Sequence, residues 1–208
     1  MSQLAPKKIA ILISGGGTNL QALIDNLDNI NGAIDIVISN KDDTYGLERA
    51  RLNNIDTLYI NQKDYKSVED FNDEIIRELT KRNIGLVVLA GYLKILSKNF
   101  IRRFKNRIIN IHPSLIPSFC GKGFYGIKVH EEIIKYGVKI SGATVHFVDE
   151  EADTGAIILQ DTVKIEDNDT AESLQKKVLQ IEHKLLPEAV RLFCEGKLHI
   201  ENRKVIVK

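Results

Sequence analysis

The chain has no tryptophan, one methionine, two cysteines and four prolines in 208 residues, and it carries no surplus of charge of either sign. With 29 basic and 28 acidic side chains its formal net charge is +1. No long-range field is available to gather a polyanion, so nucleic acid is not an expected partner, although a small anion needs only a local site. No apolar run approaches the roughly 20 residues of a spanning helix. The N-terminus lacks the basic start, apolar middle and small-residue exit of a signal peptide, so a cytoplasmic protein with no membrane partner is expected. Cys120 and Cys194 form no CxxC pair, which argues against a disulfide framework and for free thiols. The histidines at 112, 130, 146, 183 and 199 fall into no HExxH or Cys/His cluster, so no metal site is expected.

What is present is the balance of an ordinary globular protein, with 43% hydrophobic and 27% charged residues. The length suits one domain over 1–208. From Lys7 onward short apolar runs alternate with longer amphipathic stretches, the rhythm of a parallel sheet with crossover helices. Ile9–Ile13, Ile34–Ser39, Thr57–Ile60, Leu86–Ala90 and Ile108–Ile111 are rich in Ile and Val, as buried parallel strands are. Helices are expected near Leu20–Leu27 and over Val68–Lys81, where Phe71, Ile75, Ile76 and Leu79 make one apolar face. After Gly142, Thr144–Val148 and Ile157–Ile165 read as two strands around an acidic loop. A long helix from Thr170 follows, which Pro187 should kink or restart. A hairpin over Leu198–Val207 closes the chain. The fold class is therefore α/β: a Rossmann-like, mostly parallel twisted sheet with helices on both faces and antiparallel additions toward the C-terminal half. Ligands of such sheets bind beyond the carboxyl ends of the strands.

Ser14-Gly15-Gly16-Gly17-Thr18-Asn19 lies at such an end and opens the first helix, where backbone N–H groups can cradle an anion. The same residues also fit a tight turn with Thr18 or Asn19 as the helix N-cap. A dinucleotide fingerprint would need glycine where Leu20 stands, and a Walker A loop would need Gly-Lys-Ser/Thr. A monophosphate suits the loop better, with Thr18 and Asn19 adding side-chain donors. Farther on, Asn110-Ile111-His112-Pro113-Ser114 closes the fifth strand, and a strand's period of two puts Asn110 and His112 on one face. Pro113 ends the strand and leaves His112 at the rim. A hydrogen-bonded strand-end histidine and a ligand-facing one are both compatible with this. Asp149–Gly155 reads as a solvated acidic turn from charge alone.

Four segments in this order, SGGGTNLQ from Ser14, VLAGYLKILS from Val88, NIHPSLIP from Asn110 and SGATVHFVDEEADTGAIILQ from Ser141, resemble the glycinamide ribonucleotide formyltransferases of purine biosynthesis. The resemblance runs from about Ile9 to Phe193. It implies transfer of a formyl group from 10-formyltetrahydrofolate, a co-substrate, to the amine of 5-phosphoribosylglycinamide. It implies that Asn110, His112 and Asp153 are catalytic, that Gly17, Thr18 and Asn19 bind the substrate phosphate, and that Glu182 binds the glycinamide part. Leu93, Lys94, Ile95, Leu96, Asn110 and Asp149, Glu150, Glu151, Ala152 and Asp153 would line the pterin pocket, largely through backbone groups. His146 would support the catalytic network. Lys66 would stand in for a cation on the folate tail where Val68 holds the usual place. The phosphate half would be 1–100 and the catalytic and folate half 101–208.

Formyl transfer passes through a tetrahedral intermediate with an oxyanion and a cationic nitrogen. Hydrogen-bond donors aimed at the oxyanion are the expected dominant catalytic aid, and Asn110 and a protonated His112 are the candidates. Asp153 is expected to raise the pKa of His112. The segment between Pro117 and His130 is longer than in many relatives, with Cys120 where proline is common; its glycines at 121, 123 and 126 suit a mobile lid, while Phe119, Phe124 and Tyr125 suit a packed loop. Similar Asn-x-His and Asp elements occur in methionyl-tRNA and sugar-amine formyltransferases and in formyltetrahydrofolate deformylases. A tRNA enzyme is expected to add a basic domain and a deformylase a leading one, and the core here begins by Lys7. A non-catalytic module holding a phosphometabolite or folate is the alternative from another class. Monomer and homodimer are both open.

Overall fold

The computed structural model describes residues 6–208. The chain folds into one nine-stranded sheet with six α-helices among the described residues. β1 (Lys7–Ile13), β2 (Gly32–Ser39), β3 (Asp56–Tyr59), β4 (Leu86–Leu89) and β5 (Ile108–His112) run parallel. β6 (Ile140–Phe147) pairs antiparallel with β5, and β7 (Ile157–Lys164) antiparallel with β6. A terminal hairpin of β8 (Leu198–Glu201) and β9 (Lys204–Val207) joins through one parallel bridge of β9 to β7, giving the order β3-β2-β1-β4-β5-β6-β7-β9-β8. The expected parallel sheet with antiparallel additions is thus present. Because β1 has β2 on one side and β4 on the other, the strand order reverses there, which opens a crevice between the loops that follow β1 and β4.

The pleat sorts the apolar residues into two cores. Ile9, Ile11, Ile13, Val88, Ile109 and Val145 face α1 (Thr18–Ile24), α2 (Tyr45–Leu52), α5 (Ile127–Tyr136) and α6 (Ala171–Cys194). Ala10, Leu12, Ile36, Val87, Leu89 and Ile108 face α3 (Val68–Lys81) and α4 (Lys98–Arg103). Buried on both faces, β1 and β4 need apolar residues throughout, which is why their runs are nearly continuous. On α3, Phe71, Ile75 and Leu79 are the buried stripe, and Ser67 caps the helix by accepting from the N–H of Asp70.

Of the two outcomes expected at Pro187, a kink or a restart, the restart does not occur: α6 runs without a break over 24 residues. Proline removes one N–H, the one that would reach the His183 carbonyl, and its neighbours Leu186, Ala189 and Val190 are fully buried on both sides of it. Packing along this whole length holds the two halves in one continuous helix. The first helix is also shorter than expected, ending at Ile24 before a 3-10 turn over Leu27–Asn29.

Candidate active site

The glycine-rich loop lines the crevice. Gly17, not Thr18 or Asn19, is the residue before α1; it has φ 70° and no side chain caps the helix. The left-handed φ is open to glycine, and a Cβ there would meet the Gly46 Cα at 2.7 Å. Asn19, expected to add a side-chain donor to the loop, spends one amide N–H on α6. Its side-chain amide donates to Glu182 Oε2 at 2.6 Å, joining the loop to α6 across 163 residues, while Asn19 Oδ1 is buried without a partner among the described residues. Buried Ser14 joins the loop to its neighbours: its hydroxyl donates to Asn40 Oδ1 at 2.5 Å and accepts from the Leu93 N–H at 2.9 Å.

Asn110, His112 and Asp153 come together at the far side of this crevice. Asn110 lies opposite His146 and His112 opposite Thr144 in the β5–β6 ladder, so all four side chains share the face that Ile108 turns toward α3 and α4. The Asn110 amide bonds His146 Nε2 at 3.1 Å, and His146 Nδ1 donates to the Phe147 carbonyl at 2.8 Å. The Phe147 carbonyl can only accept, so Nδ1 donates to it, and one Asn110 N–H is spent on Nε2. The loop after β6 folds back so that Asp153 Oδ2 is 3.6 Å from His112 Nδ1 and Oδ1 is 3.5 Å from His146 Nε2. Asp153 has φ 57°, a left-handed turn that Asp tolerates better than most side chains. Gly155 makes the fold-back possible, since a Cβ there would overlap the Phe147 carbonyl oxygen.

The electrostatics correct one expectation. Burial pulls the His112 pKa down, and although the Asp153 charge and the Phe119 carbonyl push it up, the net direction is downward. His112 is therefore neutral at rest rather than protonated. Its Nε2, 3.0 Å from the Phe119 carbonyl, carries the proton, and Nδ1 is left as a bare acceptor facing Asp153. Burial alone would push Asp153 up, but the His146 and His112 rings beside it and the Gly121 N–H at 2.8 Å hold its carboxyl below the ordinary range. Glu182 is raised by burial, with the Asn19 bond offsetting part of the effect.

The segment after Pro117 is tied to this centre. Phe119 packs edge-on against Phe124 and Tyr136, and its carbonyl also accepts from the Ser114 hydroxyl at 3.2 Å. Gly121 holds Asp153, and Cys120 Sγ donates to the Pro117 carbonyl. Those contacts fit the packed-loop reading for Phe119 and Phe124, whereas Tyr125 is half exposed. Of the other expected residues, Leu93 and Ile95 are exposed at 52% and 77% while Leu96 is buried. Lys94 borders a hollow of about 730 Å³ with Asn40, Lys41, Tyr59 and Lys63. Asp149, Glu150 and Glu151 line another of about 650 Å³ with Arg102 and Lys105, and Glu150 pairs with Arg102 at 2.8 Å. Neither hollow is lined by Asn110, His112 or Asp153. Ala152 is exposed in that loop, and Lys66 is exposed just before the Ser67 cap with no polar contact to the trio.

Several supporting residues escape sequence reasoning. The Thr144 hydroxyl donates to the Ser114 carbonyl at 2.6 Å and accepts from the Ile116 N–H and the Gln160 amide, which fixes the chain just beyond His112. Only the position of Thr144 two residues before His146 hinted at a shared face. No group of three or more His, Cys, Asp or Glu side chains able to hold a metal ion occurs among the described residues, and no described helix is long and apolar enough to cross a membrane.

Comparison with known proteins agrees with this geometry. The formyl transferase family matches residues 7–190. A chloroplastic phosphoribosylglycinamide formyltransferase of Arabidopsis thaliana is 41% identical over 92% of this chain and 67% of its own length. The trifunctional purine biosynthetic protein adenosine-3 of Homo sapiens is 43% identical over 95% of this chain, which spans only 19% of that protein. The crystal structure of glycinamide ribonucleotide transformylase 1 from Symbiobacterium toebii superposes with a TM-score of 0.94 at 42% identity, covering 99% of this chain and 95% of that one. With the α/β sheet, its reversal at β1 and the Asn-His-Asp cluster in place, the chain belongs to the formyl transferase family, among its phosphoribosylglycinamide formyltransferases.

Proposed function

We propose that this enzyme moves a formyl group from 10-formyltetrahydrofolate to the amine of 5-phosphoribosylglycinamide, releasing tetrahydrofolate, as a cytoplasmic step of de novo purine biosynthesis. The observation that carries the reading is an amide, an imidazole and a carboxylate in one cluster, with His112 Nδ1 and Asp153 Oδ2 separated by 3.6 Å. The substrate amine, with a pKa near the roughly 8 of an α-amino group, is partly a free nucleophile at neutral pH. As its nitrogen bonds the formyl carbon, the carbonyl electron pair moves to oxygen. The Asn110 N–H not used by His146 donates to that oxyanion. The cationic nitrogen gives its proton to His112 Nδ1, and the Asp153 carboxylate stabilises the imidazolium while the proton is held. The bond from the formyl carbon to the folate nitrogen then breaks, and the proton passes to that nitrogen.

Around this centre, Gly17, Thr18 and Asn19 take the substrate phosphate through the backbone, and Glu182 takes the glycinamide end. The exposed Leu93 and Ile95, with Lys94, Leu96 and the Asp149–Asp153 backbone, form the pterin wall, and exposed apolar side chains suit a flat ring. Lys66 meets the folate tail. Purified protein mixed with 10-formyltetrahydrofolate and 5-phosphoribosylglycinamide should release tetrahydrofolate only when both are present. Release with water alone would identify a deformylase, and no release at all a binding module.

A further inference from the structure

Three consecutive carbonyls of the glycine-rich loop are each held by a protein donor. The Gly15 oxygen accepts from the Gly46 N–H at 3.2 Å, the Gly16 oxygen from Arg49 Nε at 2.9 Å, and the Gly17 oxygen from the Gln21 N–H at 2.9 Å. Within a trans peptide the C=O and the following N–H point to opposite sides. Anchoring these oxygens therefore turns the N–H groups of Gly16, Gly17 and Thr18 the other way, and none of the three has a protein acceptor among the described residues. Successive N–H groups presented in this manner form an anion-binding concavity.

Two of the three anchors come from α2, not from the loop's own helix. The approach is close enough that a Cβ on Gly46 would meet the Gly15 oxygen at 2.8 Å. Arg49 is held in place from two further directions, by a bond from Nη1 to Gln21 Oε1 at 3.0 Å and by stacking 4.6 Å from the centre of the Tyr45 ring. Its Nη2 has no protein acceptor among the described residues. In a chain of net charge +1, the positive field at a phosphate must be supplied locally, and Arg49 is bonded to the loop itself.

On the reading of this loop as the substrate-phosphate subsite, we infer that Arg49 is its positioning and specificity residue, orienting the Gly16–Gly17 peptide and placing a fixed cation beside a phosphomonoester. The test compares 5-phosphoribosylglycinamide with the dephosphorylated riboside in the wild type, Arg49→Gln and Arg49→Lys. Loss of one charge-assisted contact and of the peptide clamp should raise KM for the phosphorylated substrate in Arg49→Gln about 10- to 100-fold. The kcat should stay within about threefold, and KM for the folate and kcat/KM for the riboside should not move. Arg49→Lys, which keeps the charge without the planar fork, should fall between Arg49→Gln and the wild type. The salt dependence of KM for the phosphorylated substrate should flatten in Arg49→Gln only. An unchanged KM, or an equal loss with the riboside and the folate, would overturn the inference, the second result marking Arg49 as a fold tether. A wild type indifferent to the phosphate would instead overturn the subsite reading itself.

Discussion

Replacing Asp153 with Asn exchanges one carboxylate oxygen for an amide and leaves nearly everything else in place. Asn tolerates the left-handed backbone at φ 57° at least as well as Asp. Its remaining oxygen can still accept from the Gly121 N–H, now 2.8 Å from Asp153 Oδ2. Exchanging a charge-assisted for a neutral hydrogen bond should cost folding only about 1 kcal/mol. Catalysis should suffer far more. A proton held on His112 Nδ1 is 3.6 Å from the carboxylate, and at an effective dielectric constant of about 20 that attraction is roughly 4 to 5 kcal/mol before relaxation. Opposite charges at such distances move a pKa by about one to three units in practice, at 1.36 kcal/mol per unit. Turnover should accordingly fall about 10- to 1000-fold with KM for both substrates little changed. NMR titration of the His112 ring checks the cause. Burial puts its midpoint below the ordinary 6.5, and Asp153 is the largest influence pushing the other way. Removing that charge should lower the midpoint further and carry the acid limb of kcat/KM to lower pH with it. Wild-type turnover, or a midpoint that rises, would refute the proton-holding role.

Gly155→Ala must displace the Phe147 carbonyl or the loop, so its denaturation midpoint should correspond to about 1–3 kcal/mol of lost stability, with turnover falling as Asp153 is carried off His112; an unshifted midpoint would contradict the close approach. Glu182→Gln tests a raised pKa, and the sign is definite. A carboxyl whose folded pKa lies above its ordinary 4.5 favours folding while protonated, and that advantage is lost as pH rises through the folded value. The Gln variant should therefore match the wild type in acid and gain on it toward neutral pH in urea midpoints, while KM for the amine substrate rises; a difference independent of pH would count against it. Ser14→Ala leaves the Leu93 N–H and the Asn40 carbonyl without their partner, which should cost about 1–3 kcal/mol. It should raise KM for both substrates, because the hydroxyl ties the glycine-rich loop to the Leu93 wall; an effect on one substrate alone would argue against that coupling.

Much of the fold was legible because burial on both faces of β1 and β4 demands continuous Ile and Val, and a period of two is enough to put Asn110 and His112 on one side. Pro187 did not restart α6 because the rule for proline is local, whereas the helix is held by residues packed along its length. The site was legible in parts. Asn19 and Glu182 are 163 residues apart, so no spacing in the sequence could reveal that the amide bonds to α6. The charge state of His112 was misjudged for a related reason: the nearby carboxylate can be suspected from sequence, but the depth of burial that outweighs it cannot. Gly155 read as one more turn glycine, since only the path of the Phe147 carbonyl shows why no side chain fits.

The correction to His112 makes better chemical sense than the expectation it replaces. An imidazolium already protonated could donate to an oxyanion, but it could not take the proton that the attacking nitrogen must lose. A neutral ring with Nε2–H fixed on Phe119 and Nδ1 open can do so, and Asp153, held ionised in part by the Gly121 N–H, makes the charged state tolerable without making it permanent. Burial pulls the ring toward neutrality and the carboxylate pulls it toward charge, so the proton can be accepted and surrendered within one turnover. His130 illustrates the ring without such help: burial and the neighbouring His112 push it down to about 4, and with no carboxylate to offset them it stays neutral throughout. Two buried histidines near one another thus differ chiefly in whether a carboxylate reaches them, and the fold-back at Gly155 is what lets one reach His112.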